Sequence, residues 1–257
     1  MTGAGPRQIR RLFPDPGTTT PAEAAQELEL GERVHDDRPW VAANMASTAD
    51  GRAAIGGVSG GIGNECDRLL FAATRAQVDA VLVGTGTLAA ERYGAIIREP
   101  SVRKARELAG LTPQPLVCVL TRSGNVPFDI PLFDDPEQVV VLYSGKPIPP
   151  QPVKAKLEVV VMPNGDLTFT AALRDLRARH GVSAVLCEGG PTVVGMLVTE
   201  GLLDELFLTF SPLLVGGGDA PRITMGPAAL EPPARMALRR VLEDEGVLFL
   251  RYVVAAD

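Results

Sequence analysis

The sequence predicts an α/β fold in which a mostly parallel sheet is covered by helices on both faces and ends in antiparallel strands. Three observations carry this. From Arg38 to about residue 202, short β-branched runs alternate with amphipathic stretches, the pattern of parallel strands joined by crossover helices. Several runs are apolar throughout, as strands buried on both faces must be. Beyond residue 202 the segments DELFLTFSPLLVGGG, ARMALRRVLEDEG and VLFLRYVVA follow one another with no helical stretch between them, which predicts an antiparallel edge on the sheet.

The strands read as 39–46 (PWVAANMA), 79–84 (DAVLVG), 115–121 (PLVCVLT), 138–144 (QVVVLYS), 157–162 (LEVVVM) and 183–188 (SAVLCE). Helices fit 65–76, 100–109 and 168–180, the last stopped by Gly181, and a further one starts after Gly190. Residues 1–38, rich in Pro, Gly and Thr, are expected to be an arm with one short helix, because Thr20, Pro21 and Glu23 form a capping box with proline at the first helical position. Residues 39–257 form the main domain. The apolar stretches near 203–215 and 246–254 read as sheet edges, which are usually covered, so a homodimer is expected.

Composition narrows the function. The chain has 257 residues, 46% of them hydrophobic and 22% charged, enough for a sizeable core. With 25 basic against 31 acidic residues and no basic run, nucleic acid is not an expected partner. Its apolar stretches are far shorter than a membrane span, and the N-terminus MTGAGPRQIRR lacks the apolar core of a secretory signal, so a cytoplasmic protein is expected. Cys66, Cys118 and Cys187 are scattered and His35 and His180 are the only histidines, which argues against a zinc site, a disulfide scaffold or Cys/His catalysis and makes the thiols core residues.

Ligands of open α/β sheets bind beyond the carboxyl ends of the strands. Two such junctions are glycine-rich. VLVGTGTLAAERYG carries Gly84 and Gly86 beside Thr85 and Thr87, and VLCEGGPTVVGML carries Gly189 and Gly190 ahead of a helix whose positive end suits a phosphate. Gly84, Gly86 and Ala89 also match G-x-G-x-x-A, but residues 99–110 read as helix where a Rossmann domain needs its second strand and acidic residue. The plainer reading makes both glycine pairs tight turns. A third segment, residues 44–65, has Ser47 and Thr48 at its strand end, an Asp50-Gly51 turn, and a loop with five glycines between 56 and 63 that can fold over a ligand. Asp50 is either a ligand contact or the acidic member of an ordinary Asp-Gly turn.

Taken together, T-x-D-G after the first strand, DAVLVGTGT, EGGPT, LLDEL and SPLLVGGG resemble the riboflavin-biosynthesis pyrimidine reductase family, the C-terminal domain of the bifunctional deaminase-reductase. The likeness spans about residues 38–254. It implies a dihydrofolate-reductase-like, three-layer α/β/α fold and an NADPH-dependent reductase that converts 5-amino-6-(5-phosphoribosylamino)uracil to its ribitylamino product, hydride going to C1′ of the opened sugar. On the cofactor side the resemblance implies Ala46, Ser47, Thr48, Thr87, Glu91 and the run from Gly189 through Gly190, Pro191, Thr192 and Val193 to Met196. Gly84 and Gly86 join them as phosphate-cradling glycines. Arg122 and Ser123, after the third strand, are candidates for the 2′-phosphate of NADPH, or an exposed polar turn. For the substrate the family pattern falls on Arg75, Arg98 and Glu188, with the glycine loop near Gly60. Arginine suits a phosphate because its planar fork binds two oxygens, and Glu188 can accept from pyrimidine N–H groups. The alternatives are a helix-capping role for Arg75 and a surface charge for Arg98. Asp50 is the candidate catalytic proton donor.

The chain also departs from the resemblance. Nothing matches the H-x-E and P-C-x-x-C signature of the deaminase, so only the reductive step is expected. The lid GGVSGGIG has Gly60 and Ile62 where many members carry polar and aromatic residues, and Glu91 replaces a more usual Asp. Two other readings therefore stay open: a reductase of a pterin or folate-like substrate such as dihydrofolate, and a nucleotide-binding relative without turnover.

Overall fold

A computed structural model describes residues 6–163, 165–217, 220–226 and 229–255. All its strands join one eleven-stranded sheet. In chain order they are β1 (Ile9–Phe13), β2 (Gly17–Thr19), β3 (Trp40–Thr48), β4 (Ala80–Leu82), β5 (Leu116–Thr121), β6 (Val139–Ser144), β7 (Lys156–Val161), β8 (Ala184–Cys187), β9 (Glu205–Ser211), β10 (Met236–Asp244) and β11 (Val247–Val254). The helices are α1 (Pro21–Gln26), α2 (Glu65–Arg75), α3 (Thr85–Glu91), α4 (Pro100–Leu108), α5 (Phe169–His180) and α6 (Pro191–Thr199).

Across the sheet the order is β2-β1-β10-β11-β9-β3-β8-β4-β5-β6-β7. The run from β9 to β7 is parallel, and β11, β10, β1 and β2 continue it antiparallel. Alternate residues of β3 face opposite layers. Val41, Ala43 and Met45 pack with Leu173 and Leu176 of α5 and Leu197 of α6, while Ala42 packs with Val81, Val83 and Leu88 of α3 on the other side. This is the expected α/β/α arrangement, with the six sequence-read parallel strands in place. The free thiols of Cys66, Cys118 and Cys187 are buried, and burial pushes Cys66 and Cys187 up to about 12, far from a reactive thiolate.

Three features differ from the sequence reading. The N-terminal segment contributes β1 and β2 as well as the capped helix, and β1 pairs with β10. Thr20 does cap α1, accepting from the Glu23 N–H at 3.3 Å while the Glu23 carboxylate accepts from the Thr20 N–H at 2.8 Å. Second, β9 lies between β3 and β11, and β11 between β9 and β10, so neither apolar stretch near 203–215 or 246–254 is a sheet edge. That removes the ground on which a homodimer was expected. Third, Thr85–Glu91 is a helix rather than a loop.

Candidate active site

One cleft of about 990 Å³ opens beyond the carboxyl ends of the parallel strands. Its floor is where the two glycine junctions meet. The Gly84 N–H donates to the Gly189 carbonyl at 2.8 Å, tying the end of β4 to the end of β8. A Cβ on Gly84 would sit 3.0 Å from Val193 Cγ2, and one on Gly190 would sit 2.9 Å from Thr87 Oγ1, so these glycines let the α3 and α6 ends approach each other. Gly86 is different: a Cβ there would meet nothing within 4 Å, leaving its backbone bare toward the cleft it lines. The N-terminal ends of α3 and α6, including Thr85, Pro191 and Thr192, line the same wall.

The opposite wall is α2. Asn64 caps it, accepting from the Asp67 N–H at 3.0 Å, a bond of about 1 kcal/mol. Asp67, Phe71 and Arg75 follow at four-residue spacing on one helix face, and all three line the cleft. Arg75 forms a two-pronged pair with Glu188 at the end of β8, Nε to Oε1 at 2.7 Å and Nη2 to Oε2 at 2.6 Å. The Tyr93 hydroxyl donates to Glu188 Oε2 at 2.7 Å, and the guanidinium lies 4.0 Å over the Phe71 ring. The Glu188 side chain is 1% exposed. Burial pulls the Arg75 guanidinium down, but the attraction and hydrogen bonds of Glu188 outweigh it and leave it above its ordinary value. Burial, reinforced by the Glu188 charge, raises the Tyr93 phenol well above its own.

Of the residues picked out in the sequence, Ala46, Gly60, Arg75, Gly84, Gly86, Thr87, Glu91, Arg98, Arg122, Glu188, Gly190, Pro191, Thr192 and Val193 line this one cleft. Arg75 does not cap its helix, and its partner is Glu188 rather than solvent. Glu91 takes the Ser59 N–H and hydroxyl at 2.9 Å each, so it clamps the glycine loop to the end of α3. Five other residues picked out in the sequence hold partners of their own. The Ser47 hydroxyl is buried and donates to the Thr48 carbonyl at 3.0 Å. Thr48 is fully buried, and its hydroxyl donates to Asp50 and accepts from the Arg52 N–H. Ser123 accepts from the Asn125 N–H, closing its own turn. Gly189, at φ +89°, lies behind Gly190 with its carbonyl on Gly84. Asp50 is not on the cleft wall. Its carboxylate accepts from Thr48 and from the Gly216 N–H at 2.7 Å, which pulls its pKa down to about 2. These bonds make Asp50 the anchor of its turn.

Asp67 and Tyr93 were missed by sequence reasoning. Asp67 was findable: Arg75 had been picked, and positions eight and four residues earlier share its helix face. Tyr93 follows Arg92, which has φ +44°, and that turn has no signature that points its ring inward.

The fold and cleft define a dihydrofolate-reductase-like α/β protein with a cleft at the ends of its parallel strands. The chain belongs to the RibD C-terminal domain family, which it matches over residues 39–249. It is 30% identical over 201 residues to the 2,5-diamino-6-ribosylamino-4(3H)-pyrimidinone 5′-phosphate reductase of Archaeoglobus fulgidus, covering 76% of this chain and 90% of that protein. To the riboflavin biosynthesis protein RibD of Mycobacterium tuberculosis it is 28% identical over 200 residues, 76% of this chain and 50% of the relative. Among solved structures, a pyrimidine reductase-like protein of Corynebacterium diphtheriae superposes with a TM-score of 0.73 at 25% identity, over 86% of this chain and 94% of that one.

Proposed function

We propose that this chain is an NADPH-dependent reductase of a phosphoribosylaminopyrimidine in riboflavin biosynthesis. The observation that carries the reading is the single cleft in which the glycine junctions face Arg75, Arg98 and Glu188. The residues fit the cofactor: Gly86 leaves bare backbone, two helix N-termini and the Thr87 and Thr192 hydroxyls offer donors for a pyrophosphate, and Arg122 suits a 2′-phosphate. When bound, NADPH supplies the hydride.

The chain's own residues bind and orient. Arg98 is exposed on the cleft wall and suits the substrate phosphate. Arg75 keeps Nη1 outside its pair with Glu188 and can add to that contact, held at a fixed angle by the two bonds to the carboxylate. The loop around Gly60, clamped through Ser59 to Glu91, lines the mouth of the cleft.

The test offers the purified protein NADPH with the phosphoribosylaminopyrimidine, in its 2-amino and its uracil form, and follows loss of reduced-nicotinamide absorbance together with the mass of the product. Formation of a ribitylamino product is expected, with NADH much the poorer donor and Arg122→Ala narrowing that difference. Nucleotide binding without hydride loss on either compound would overturn the assignment.

A further inference from the structure

The carboxylates lining the cleft differ in what they already hold. Glu188 has both oxygens engaged by Arg75 and Tyr93. Glu91 holds Ser59, and Glu200 accepts the Thr170 N–H and hydroxyl at 3.0 and 2.9 Å. Asp67 stands apart. It is partly buried and lines the cleft together with Asn44 and Phe71. Its Oδ1 accepts the Thr209 hydroxyl from β9, and its Oδ2 has no hydrogen-bond partner among the described residues. Room for that oxygen comes from Gly63, where a Cβ would lie 2.1 Å from Oδ2. Any side chain at 63 would displace the carboxylate.

We propose that Asp67 is the residue that reads the pyrimidine ring, selecting a 2-amino-4-oxopyrimidine over its 2-oxo (uracil) counterpart. The inference rests on the reductase reading and deepens it. An ionised carboxylate only accepts. The N3–H and 2-amino group of a 2-amino-4-oxopyrimidine are two parallel donors that its two oxygens can take together, as they take the fork of an arginine. A uracil ring turns its C2 oxygen toward the same carboxylate, so one N–H bond is lost and two acceptors are forced together. Glu188 is held by the Arg75 fork and the Tyr93 hydroxyl, whereas Asp67 has one oxygen on Thr209, with acceptor capacity left, and one without a partner among the described residues. The placement fits the rest of the substrate: Asp67 and Arg75 are eight residues apart on α2, about 12 Å along its axis, comparable with a pyrimidine, an open-chain sugar and a phosphate laid end to end. The ring then lies at the Asp67 end, and the phosphate lies toward Arg75 and Arg98.

Reduced pterins carry the same 2-amino-4-oxo edge, so the experiment needs three arms. The kcat/KM of the intact protein and of Asp67→Asn is measured with the phosphoribosyl-2,5-diaminopyrimidinone, with the corresponding aminouracil and with dihydrofolate. The expected result is at least a tenfold preference for the diaminopyrimidinone over the uracil. Asp67→Asn, whose amide both donates and accepts, should abolish that preference while leaving the KM for NADPH unmoved. Dihydrofolate turnover with the same sensitivity to Asp67→Asn would make a pterin the source of the edge. Equal use of the two pyrimidines by the intact protein, or an Asp67→Asn variant that slows both alike, would overturn the proposal. If no compound is turned over, the reductase reading fails, and calorimetric binding of the free bases 2,5,6-triaminopyrimidin-4-one and 5,6-diaminouracil still decides the role of Asp67. Selective binding of the first that Asp67→Asn removes upholds it, and unselective binding overturns it.

Discussion

Arg75 and Glu188 lie 113 residues apart in the chain, yet they meet through two parallel hydrogen bonds of 2.7 and 2.6 Å across the mouth of the parallel sheet. The pair joins the last turn of α2 to the end of β8, and both residues line the cleft. Removing either partner leaves the other charge partly buried and unmatched. Arg75→Met or Glu188→Met should each cost about 3–5 kcal/mol. The double change Arg75→Met with Glu188→Met should cost clearly less than the sum, because no lone charge remains. Denaturant unfolding of the four proteins checks this, and strictly additive losses would mean that the pair does not couple.

That pair also marks where sequence reading stops. The parallel strands were legible because a strand buried on both faces is apolar throughout, as in Val81–Val83 and Val139–Leu142. The polar residues at their ends were legible as types, and most of them do line one cleft. What each side chain holds was not legible where it depends on partners far away in the chain, as Glu188 depends on Arg75 and Tyr93. Strand order was hidden for the same reason. Nothing local in VLFLRYVV reveals that β10 covers β11, and IRRLF, with two arginines among its five residues, does not look like the strand that extends the sheet beyond β10.

Gly195 gives a test in which two effects have opposite signs. It sits inside α6, where glycine to alanine normally stabilises a helix by about 1 kcal/mol. Here a Cβ would fall 2.2 Å from the Met225 carbonyl oxygen, which is backbone and cannot rotate away. Overpacking of this kind costs about 1–3 kcal/mol, so Gly195→Ala should lower the midpoint of thermal unfolding. The segment around Met225 is also held by its N–H to the Pro191 carbonyl at 3.0 Å, at the cleft end of α6, so nucleotide affinity should fall with it. A raised midpoint would mean that the segment moves aside freely.

Asp50 links the fold to pH. Its pKa falls from the ordinary 3.8 to about 2, first through the Thr48 hydroxyl and then through the Gly216 N–H. Because the folded value is depressed, its contribution to stability is present above pH 3.8 and is lost as the pH falls toward 2. Unfolding midpoints across this window should drop less steeply for Asp50→Asn than for the intact chain. Activity at neutral pH should survive as far as the turn holds its shape. Identical slopes would show that the carboxylate gains nothing from its partners in the folded state.

Asp67 has the opposite sign. Burial raises its pKa above 3.8, and the Thr209 hydroxyl and the Arg68 charge offset this only in part. The unfolded chain therefore ionises first, stability falls as the pH rises from 3.8 through the folded value, and the penalty persists above it. Asp67→Asn keeps an acceptor for Thr209 and removes the buried charge. It should therefore unfold at a higher temperature than the intact chain at neutral pH, an advantage that shrinks at a pH below about 3, where both states of the intact chain are protonated. Calorimetric scans at the two pH values check this. A carboxylate that destabilises its own fold, in a space kept open by Gly63, is the pattern expected of a group retained for its ligand, because stability and function pull such a residue in opposite directions. If Asp67→Asn is instead the less stable protein at neutral pH, the carboxylate is a structural partner of Thr209 and its place in the cleft is incidental.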